Sequence, residues 1–213
     1  MLLPIKIILG VILAYLLGSI PTAYIAGRLC KGIDIRQHGS KNVGATNVFR
    51  VLGKMPGIIV LVCDVLKGVL AVAVIPFIFG LYAIIYFIIF GLAVVCGHNW
   101  TIFLKFKGGK GVATSLGVLL GLTITIASIR LIVLFCVLIW LGVFIGSGYV
   151  SLASIVSVLF LPLLMVFFFQ PLELVILGVV FCFLVIWRHR PNIQRLLQGC
   201  ESRVRFPFGK TSR

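Results

Sequence analysis

The chain has 213 residues, of which 62% are hydrophobic and only 11% are charged, and its mean hydropathy is +1.26. This composition excludes a soluble globular domain, because apolar stretches near the length of a membrane span recur along the chain. Lys and Arg number 19 against four Asp and Glu. They flank the apolar stretches and form no aromatic-interleaved basic module, which excludes a nucleic-acid partner.

Seven apolar stretches predict membrane helices, so the expected fold class is all-α, a polytopic transmembrane bundle forming one domain over 1–213. We expect the spans near residues 2–27, 57–79, 81–97, 112–127, 129–145, 151–169 and 172–187. The first stretch is too long for a signal-peptide core and lacks a small-residue cleavage site, which predicts a retained span. The fourth and fifth stretches are short for a full crossing, so five or six spans are the alternative.

The basic residues predict the orientation of the bundle. The connecting segments 28–56 and 98–111 and the tail 188–213 carry 16 of the 19 Lys and Arg. The positive-inside rule places these three segments in the cytoplasm, together with the C-terminus, and the N-terminus outside. The protein is therefore expected to act at the cytoplasmic face of its membrane.

The first polar cluster, residues 39–47 followed by Arg50, favours binding of an anion. Its glycines permit positive φ angles, and successive backbone N–H groups before a helix form a nest for phosphate or carboxylate. The G-x4-G spacing is that of a P-loop, but Ala45 and Thr46 stand where Lys and Ser or Thr are required, so ATP hydrolysis is unsupported. An ordinary polar loop is the alternative. The candidate residues are Gly39, Ser40, Asn42, Gly44, Thr46, Asn47 and Arg50.

The second cluster, residues 105–111, contains three lysines and three glycines just before an apolar helix. Helix N-terminal amides and ammonium groups then converge on one anion-sized space. A charge run that only anchors the topology is the alternative, and Lys105 fits that interpretation better than Lys110, which is embedded between glycines. The candidate residues are Lys107, Gly108, Gly109 and Lys110.

The third cluster follows the last apolar stretch. Arg188 fits a membrane anchor whose charged head reaches the interface. His189 and Asn192 are not needed for anchoring, and they share a face if the segment is helical, although Pro191 is expected to break or restart the helix. His189 can accept a proton or donate a hydrogen bond to phosphate. Ser151, at the predicted turn before the sixth span, adds a hydroxyl to the same face.

Asp64 and Lys67 lie inside the second apolar stretch, three residues apart. Ionisable groups at membrane depth are functional candidates, and a mutually neutralised structural pair is an equal alternative. The six cysteines show no paired spacing, and four acidic residues are too few for a two-metal carboxylate site, so we predict no metal and no cofactor. No His-x4-Asp pair, H-E-x-x-H motif or G-x-S-x-G elbow occurs.

In their order along the chain, these clusters resemble the motifs of the bacterial acyl-phosphate:glycerol-3-phosphate acyltransferases, the PlsY family. The resemblance covers nearly the whole chain. It rests on Gly18-Ser19-Ile20-Pro21, residues 39–47 with Arg50, Asp64-x-x-Lys67-Gly68, Gly97-His98, residues 106–114, Tyr149-Val150-Ser151 and residues 188–201.

The resemblance implies transfer of a fatty acyl group from acyl phosphate to the 1-hydroxyl of glycerol 3-phosphate, giving lysophosphatidic acid and phosphate, the first step of phospholipid biosynthesis in the bacterial inner membrane. The implied partners are both substrates and membrane lipid, without an obligatory protein partner. An acyl phosphate has a good leaving group, so positioning and charge neutralisation can supply most of the acceleration. The catalytic candidates are Ser40, Arg50, Lys110, His189 and Asn192. The substrate-binding candidates are Gly39, Asn42, Gly44, Thr46, Asn47, Lys107, Gly108, Gly109 and Ser151.

Two other classes of function are alternatives. An anion or phosphate transporter would place polar groups near the bilayer midplane on broken, repeated helices, whereas here polarity gathers at one face. A membrane anchor for a soluble partner would explain the basic loops but not the glycine-rich spacing. The tail after Glu201, ending at Lys210-Thr-Ser-Arg213, carries no motif, and we expect it to be solvated or to touch lipid headgroups.

Overall fold

The computed structural model describes residues 2–204, which contain α-helices and short 3-10 turns but no β-strand. The basic end of the tail, with Arg205, Lys210 and Arg213, lies outside the described residues. The helices, in chain order, are α1 Leu3–Ser19, α2 Thr22–Lys31, α3 Ala45–Leu52, α4 Lys54–Ala73, α5 Ile75–Phe79, α6 Ile84–Asn99, α7 Val112–Thr125, α8 Arg130–Ser147, α9 Val150–Phe167, α10 Leu172–Arg188 and α11 Arg190–Leu197.

The helices confirm an all-helical membrane bundle. Within residues 2–204, five helical segments are long and apolar enough to cross a bilayer, and they are Leu3–Lys31, Lys54–Phe79, Ile84–Leu104, Ala127–Ser147 and Val150–Phe167. A sixth comprises α10 and α11, which are bent by 60° relative to each other. The apolar helix α7 has 14 residues, or about 21 Å at 1.5 Å per residue, which is short of a hydrocarbon core of about 30 Å. The seven-span count therefore stays a prediction.

The helix predicted over 2–27 is interrupted. Helix α1 ends at Ser19 and α2 begins at Thr22, because Pro21 has no N–H to donate and its ring clashes with the preceding turn. The break is held by two other helical segments. The carbonyl of Ser19 accepts a hydrogen bond from the Thr101 hydroxyl at 2.5 Å, and the carbonyl of Ile20 accepts one from Lys67 Nζ at 3.3 Å.

Glycines bring α4 and α7 into backbone contact. A Cβ on Gly68 would lie 2.3 Å from the Thr114 carbonyl oxygen, and one on Gly117 would lie 2.0 Å from that of Val65. Small residues at such interfaces let membrane helices approach closely. The contact fixes the N-terminus of α7 beside the middle of α4.

The apolar core lies between the helices, and the outer surface is apolar as well. Phe90, Leu122 and Phe181 are fully buried, whereas many Leu, Ile and Phe side chains on the outward faces are exposed. That distribution is expected of a protein whose surroundings are hydrocarbon, because lipid removes the need for a polar surface. Polar groups instead gather where α3, α7 and α11 begin.

Candidate active site

The loop 39–47 is shaped by one side chain, that of Asn47 in α3. Asn47 is fully buried; its Oδ1 accepts a hydrogen bond from the Ser40 N–H at 2.8 Å, and its Nδ2 donates to the carbonyls of His38 at 3.0 Å and Asn42 at 3.1 Å. These bonds, with a further contact from Nδ2 to the Ile35 carbonyl at 3.2 Å, engage both the N–H groups and the oxygen of the amide. The structure therefore places Asn47 as the frame of the loop, beneath the exposed Ser40.

Gly39 is required by that frame. Its φ is +58°, in the left-handed region, and a Cβ there would lie 2.4 Å from Asn47 Oδ1. Gly44 directly precedes α3 as its N-terminal cap, and its carbonyl accepts the N–H of Asn47 at 3.0 Å. Thr46 and Asn42 are half-buried at the same turn, and within residues 2–204 neither side chain has a hydrogen-bond partner. Their polar groups therefore remain available to a ligand of the loop.

The loop 105–111 is held through both the backbone N–H groups and the backbone carbonyls of Gly108 and Gly109. The two N–H groups donate to the carbonyls of Asn99 at 3.2 Å and His98 at 3.0 Å. The two carbonyls accept from Arg188, at 2.9 Å from Nη2 and 3.0 Å from Nε. Both glycines thus form the base of the loop, and the N–H groups open to an anion are those of the first turn of α7.

Arg188, which the sequence interpretation assigned to membrane anchoring, holds the loop 105–111 in the structure. Its guanidinium lies 5.8 Å from the ring centroid of Trp100 and clamps the two glycine carbonyls. An arginine directly after an apolar span carries the same sequence signal whether it anchors or clamps. Lys107, which precedes Gly108 in the loop, is exposed. It lies outside the cluster formed by the other lysine and arginine candidates.

Glu201 connects the residues of the site. Its Oε1 accepts hydrogen bonds from the Ser151 hydroxyl at 2.8 Å and from Asn192 Nδ2 at 2.6 Å, and its Oε2 accepts from Arg195 Nε at 2.7 Å. The Asn192 Oδ1 in turn accepts from Lys110 Nζ. The carboxylate therefore orients both Ser151 and Asn192, and the sequence interpretation gave it no role.

His189 lies at the junction of α10 and α11. The expectation that Pro191 restarts the helix is confirmed, because α11 begins at Arg190 with the proline in its first turn, where a missing N–H is harmless. His189 is buried, and its Nδ1 donates to the Val185 carbonyl at 2.8 Å, since a carbonyl can only accept. The other ring nitrogen, Nε2, then carries the lone pair of the neutral imidazole.

The site is strongly positive. Burial lowers the pKa of Lys110 to about 8, Glu201 acts in the opposite direction, and three neighbouring arginines lower it further. Those cations are Arg195, Arg50 and Arg188. Burial also lowers the pKa of Arg50, whose Nη2 donates to the Ser202 carbonyl at 3.4 Å. Four cations thus surround a single carboxylate, and the surplus charge favours a phosphate dianion.

The two loops meet. A Cβ on Gly109 would lie 2.6 Å from the Val43 carbonyl oxygen, so the loop 39–47 packs directly on the loop 105–111. The structure thereby brings together five predicted site residues from distant parts of the sequence through these contacts and the Glu201 network. They are Asn47, Lys110, Ser151, His189 and Asn192, with Arg50 at the rim.

Comparison with known proteins identifies the family of this chain. The model of a family described as glycerol-3-phosphate acyltransferase matches residues 8–199. Glycerol-3-phosphate acyltransferase 2 of Moorella thermoacetica is 47% identical over 92% of this chain and 97% of its own, and the glycerol-3-phosphate acyltransferase of Carboxydothermus hydrogenoformans is 44% identical over 93% and 96%.

Two crystal structures of PlsY (YgiH), an integral membrane glycerol 3-phosphate acyltransferase, are also similar at 42% identity. The glycerol 3-phosphate form has a TM-score of 0.84 and covers 93% of this chain and 96% of that chain. The lysophosphatidic acid form has a TM-score of 0.81 over 93% and 95%. The resemblance of the motifs is thus confirmed, and the chain belongs to the glycerol-3-phosphate acyltransferase family that includes PlsY.

Proposed function

We propose that the protein transfers a fatty acyl group from acyl phosphate to the 1-hydroxyl of glycerol 3-phosphate, releasing lysophosphatidic acid and inorganic phosphate. The observation that carries this proposal is the half-buried Lys110, hydrogen-bonded to Asn192 among three arginines and one carboxylate. Such a site suits a reaction in which both substrates carry phosphate. The glycerol 3-phosphate named for one PlsY structure supports the acceptor.

The reaction needs no covalent enzyme intermediate. The acceptor hydroxyl oxygen attacks the acyl carbonyl carbon, the bond from that carbon to the phosphate oxygen breaks, and phosphate leaves with its electron pair. Lys110, Arg50 and the N–H groups of the first turn of α7 neutralise the phosphate groups of both substrates, including the phosphate that leaves. The Ser40 hydroxyl, the Asn42 side-chain amide and the Thr46 hydroxyl polarise the carbonyl of the acyl group. The hydroxyl proton goes to His189 Nε2 or to a phosphate oxygen of the substrate.

We assign Asn192, Ser151 and His189 to the acceptor, because Glu201 and the Val185 carbonyl hold their polar groups in place. Gly39, Gly44, Asn47, Gly108 and Gly109 keep the two loops in shape. Lys107, being exposed, attracts the anionic substrates from solution.

We further propose that the site faces the cytoplasm of a bacterial inner membrane, with seven spans and the N-terminus outside. The clustering of the basic loops supports this orientation. A groove of about 280 Å³ along α9 and α10, lined by Pro162, Val179, Cys182, Phe183 and neighbouring residues up to Arg190, offers apolar surface for the acyl tail.

The decisive assay uses the purified protein in detergent with palmitoyl phosphate and glycerol 3-phosphate, and follows lysophosphatidic acid. We expect product from palmitoyl phosphate and none from palmitoyl-CoA. The absence of product would contradict the proposal. So would Lys110→Ala and Arg50→Ala variants that are as active as the wild type. Phosphate uptake into proteoliposomes without acyl transfer would instead support the transporter alternative, which the gathering of polar groups at one end of the bundle disfavours.

The pH dependence should reflect Lys110. Only the charged amine neutralises phosphate, and its pKa is about 8, so kcat/KM should fall about tenfold per pH unit above that value. Bound phosphate favours the charged amine, so the corresponding decline in kcat should lie at higher pH. Initial rates from about pH 7.5 to about pH 9.5 measure both profiles.

The matched variant for this test is Lys110→Arg. A guanidinium stays charged over the whole range, so the decline in kcat/KM should disappear even where absolute activity is reduced. A wild-type profile that stays flat across this range, or an unaltered decline in Lys110→Arg, would contradict the assignment.

Glu201→Gln should weaken the hydrogen-bond network that supports Asn192 and Lys110. The neutral amide loses the ion pair with Arg195 and ceases to raise the pKa of Lys110. We expect kcat/KM to fall about 10- to 100-fold and its alkaline decline to move to lower pH. The control is Glu173→Gln, an exposed carboxylate in the first turn of α10. Equal kinetics in the two variants would contradict the role of Glu201.

A further inference from the structure

A second ionic cluster, distinct in its residues from the phosphate cations, lies where α2, α4 and α6 meet. Asp64, Lys67 and His98 are only 1%, 4% and 8% exposed. The Asp64 Oδ1 lies 2.8 Å from Lys67 Nζ and 3.6 Å from His98 Nδ1, and it accepts a hydrogen bond from the Thr22 hydroxyl at 2.8 Å. None of these residues is among those assigned to substrate.

Part of this cluster serves the fold. Lys67 Nζ donates to the Ile20 carbonyl, which the break between α1 and α2 leaves without a helical partner. Thr22 opens the second of these helices. These bonds explain a buried Lys67 paired with Asp64, since a buried charge is tolerated only when paired and hydrogen-bonded. They do not explain the imidazole beside them.

The His98 ring connects the cluster to the loop 105–111. Its Nδ1 faces Asp64, and its Nε2 lies against Gly109, where a Cβ would come within 2.2 Å of that nitrogen. The backbone carbonyl of His98 accepts the Gly109 N–H at 3.0 Å. One residue therefore holds the glycine by its backbone and by one edge of its ring.

The next residue, Asn99, continues the support. Its carbonyl accepts the Gly108 N–H, and its fully buried side chain lies beneath Gly111, where a Cβ would be 2.8 Å from Asn99 Oδ1. The last turn of α6 is thus the floor on which the loop and the start of α7 rest. Arg188 holds the opposite, carbonyl edge.

We propose that Asp64 and His98 are positioning residues for phosphate binding: the Asp64 carboxylate orients the His98 ring, and the ring sets the place of Gly109, and through it of Lys110 and the α7 amides. This inference rests on the proposed function. The ring has two edges that differ in partner, so loss of the carboxylate lets it rotate away from the glycine. The phosphate loop then loses its preorganised shape.

The test uses variants that keep buried charge balanced. Asp64→Asn alone leaves Lys67 buried without an anion, so Asp64→Asn is combined with Lys67→Met. We expect this double variant to lower kcat/KM for glycerol 3-phosphate about 10- to 100-fold, chiefly through KM. The midpoint of thermal unfolding in detergent should stay within about 4 °C of the wild type.

His98→Gln should show the same rise in KM. Because Asp64 acts through His98, adding His98→Gln to the double variant should cause no further loss. The control is Ser157→Ala, which removes an inter-helix hydrogen bond of 2.7 Å to the Cys136 carbonyl far from the loops and should leave kcat and KM unchanged. Where the double variant is not recovered, His98→Gln decides the matter alone.

A purely structural cluster predicts something different. Folded variants with wild-type KM, or independent losses that multiply in the triple variant, would overturn the positioning role. Calorimetric titration of the same proteins with glycerol 3-phosphate, in the absence of acyl phosphate, measures the affinity of the site separately from acyl transfer. A wild-type protein that binds glycerol 3-phosphate yet makes no product from acyl phosphate would overturn the donor assignment and leave the positioning result standing.

Discussion

Replacement of Lys110 by Met is expected to lower kcat/KM about 10²- to 10³-fold, the cost of removing one preorganised charged donor from a buried site. Met preserves the length of the side chain but leaves Asn192 Oδ1 without its Lys110 partner and three arginines to neutralise phosphate alone. Initial rates with palmitoyl phosphate and glycerol 3-phosphate, each varied in turn, show which substrate loses affinity.

Lys105→Met is the matched control for this variant. Lys105 is on the same loop, is exposed and belongs to no described hydrogen bond, so its loss should change kcat/KM by less than about threefold, as for an exposed surface charge. A comparable loss in both variants would mean that the loop contributes only general positive charge, and the assignment of Lys110 to a phosphate oxygen would then be wrong.

His189→Gln is expected to lower kcat by about 10²- to 10⁴-fold with little change in KM for glycerol 3-phosphate. The bond from His189 Nδ1 to the Val185 carbonyl leaves Nε2 as the acceptor, and Gln places a polar but non-basic group near that position. Steady-state kinetics and calorimetric binding of glycerol 3-phosphate distinguish proton transfer from binding.

The outcome against a basic role is equally clear. A variant that loses binding of glycerol 3-phosphate while keeping kcat at saturation would show that His189 only holds the substrate. A phosphate oxygen of the substrate would then take the proton. His38→Gln serves as the control, because that imidazole is exposed and its contribution to the loop 39–47 comes from its backbone carbonyl.

Much of the fold follows from hydropathy and from single residues. Long apolar stretches predicted the helices, and Pro191 predicted the restart at α11. The break after Ser19 was not predicted, although Pro21 stands there. Its stability depends on Thr101 and Lys67, which contact it from other helices. A local sequence pattern does not show which residues of other helices contact the segment.

The candidate site was predictable where chemistry is local to a loop. Glycines, lysines and short polar side chains at 39–47 and 105–111 indicated an anion, and Asn192 and Lys110 do meet. The roles of Glu201 and Arg188 were not predictable, because each acts on residues about 10 to 80 positions away. A carboxylate near a chain end and an arginine after a span carry no such information in themselves.

The clamp from Arg188 to Gly108 and Gly109 has a consequence for biogenesis. The loop 105–111 emerges from the ribosome about 80 residues before Arg188, the residue that holds its carbonyls. Glu201 emerges later still. During synthesis the loop 105–111 therefore remains without its carbonyl clamp until α10, the tenth helix in chain order, is complete. The final shape of a loop made midway through the chain thus depends on the last helices to be made.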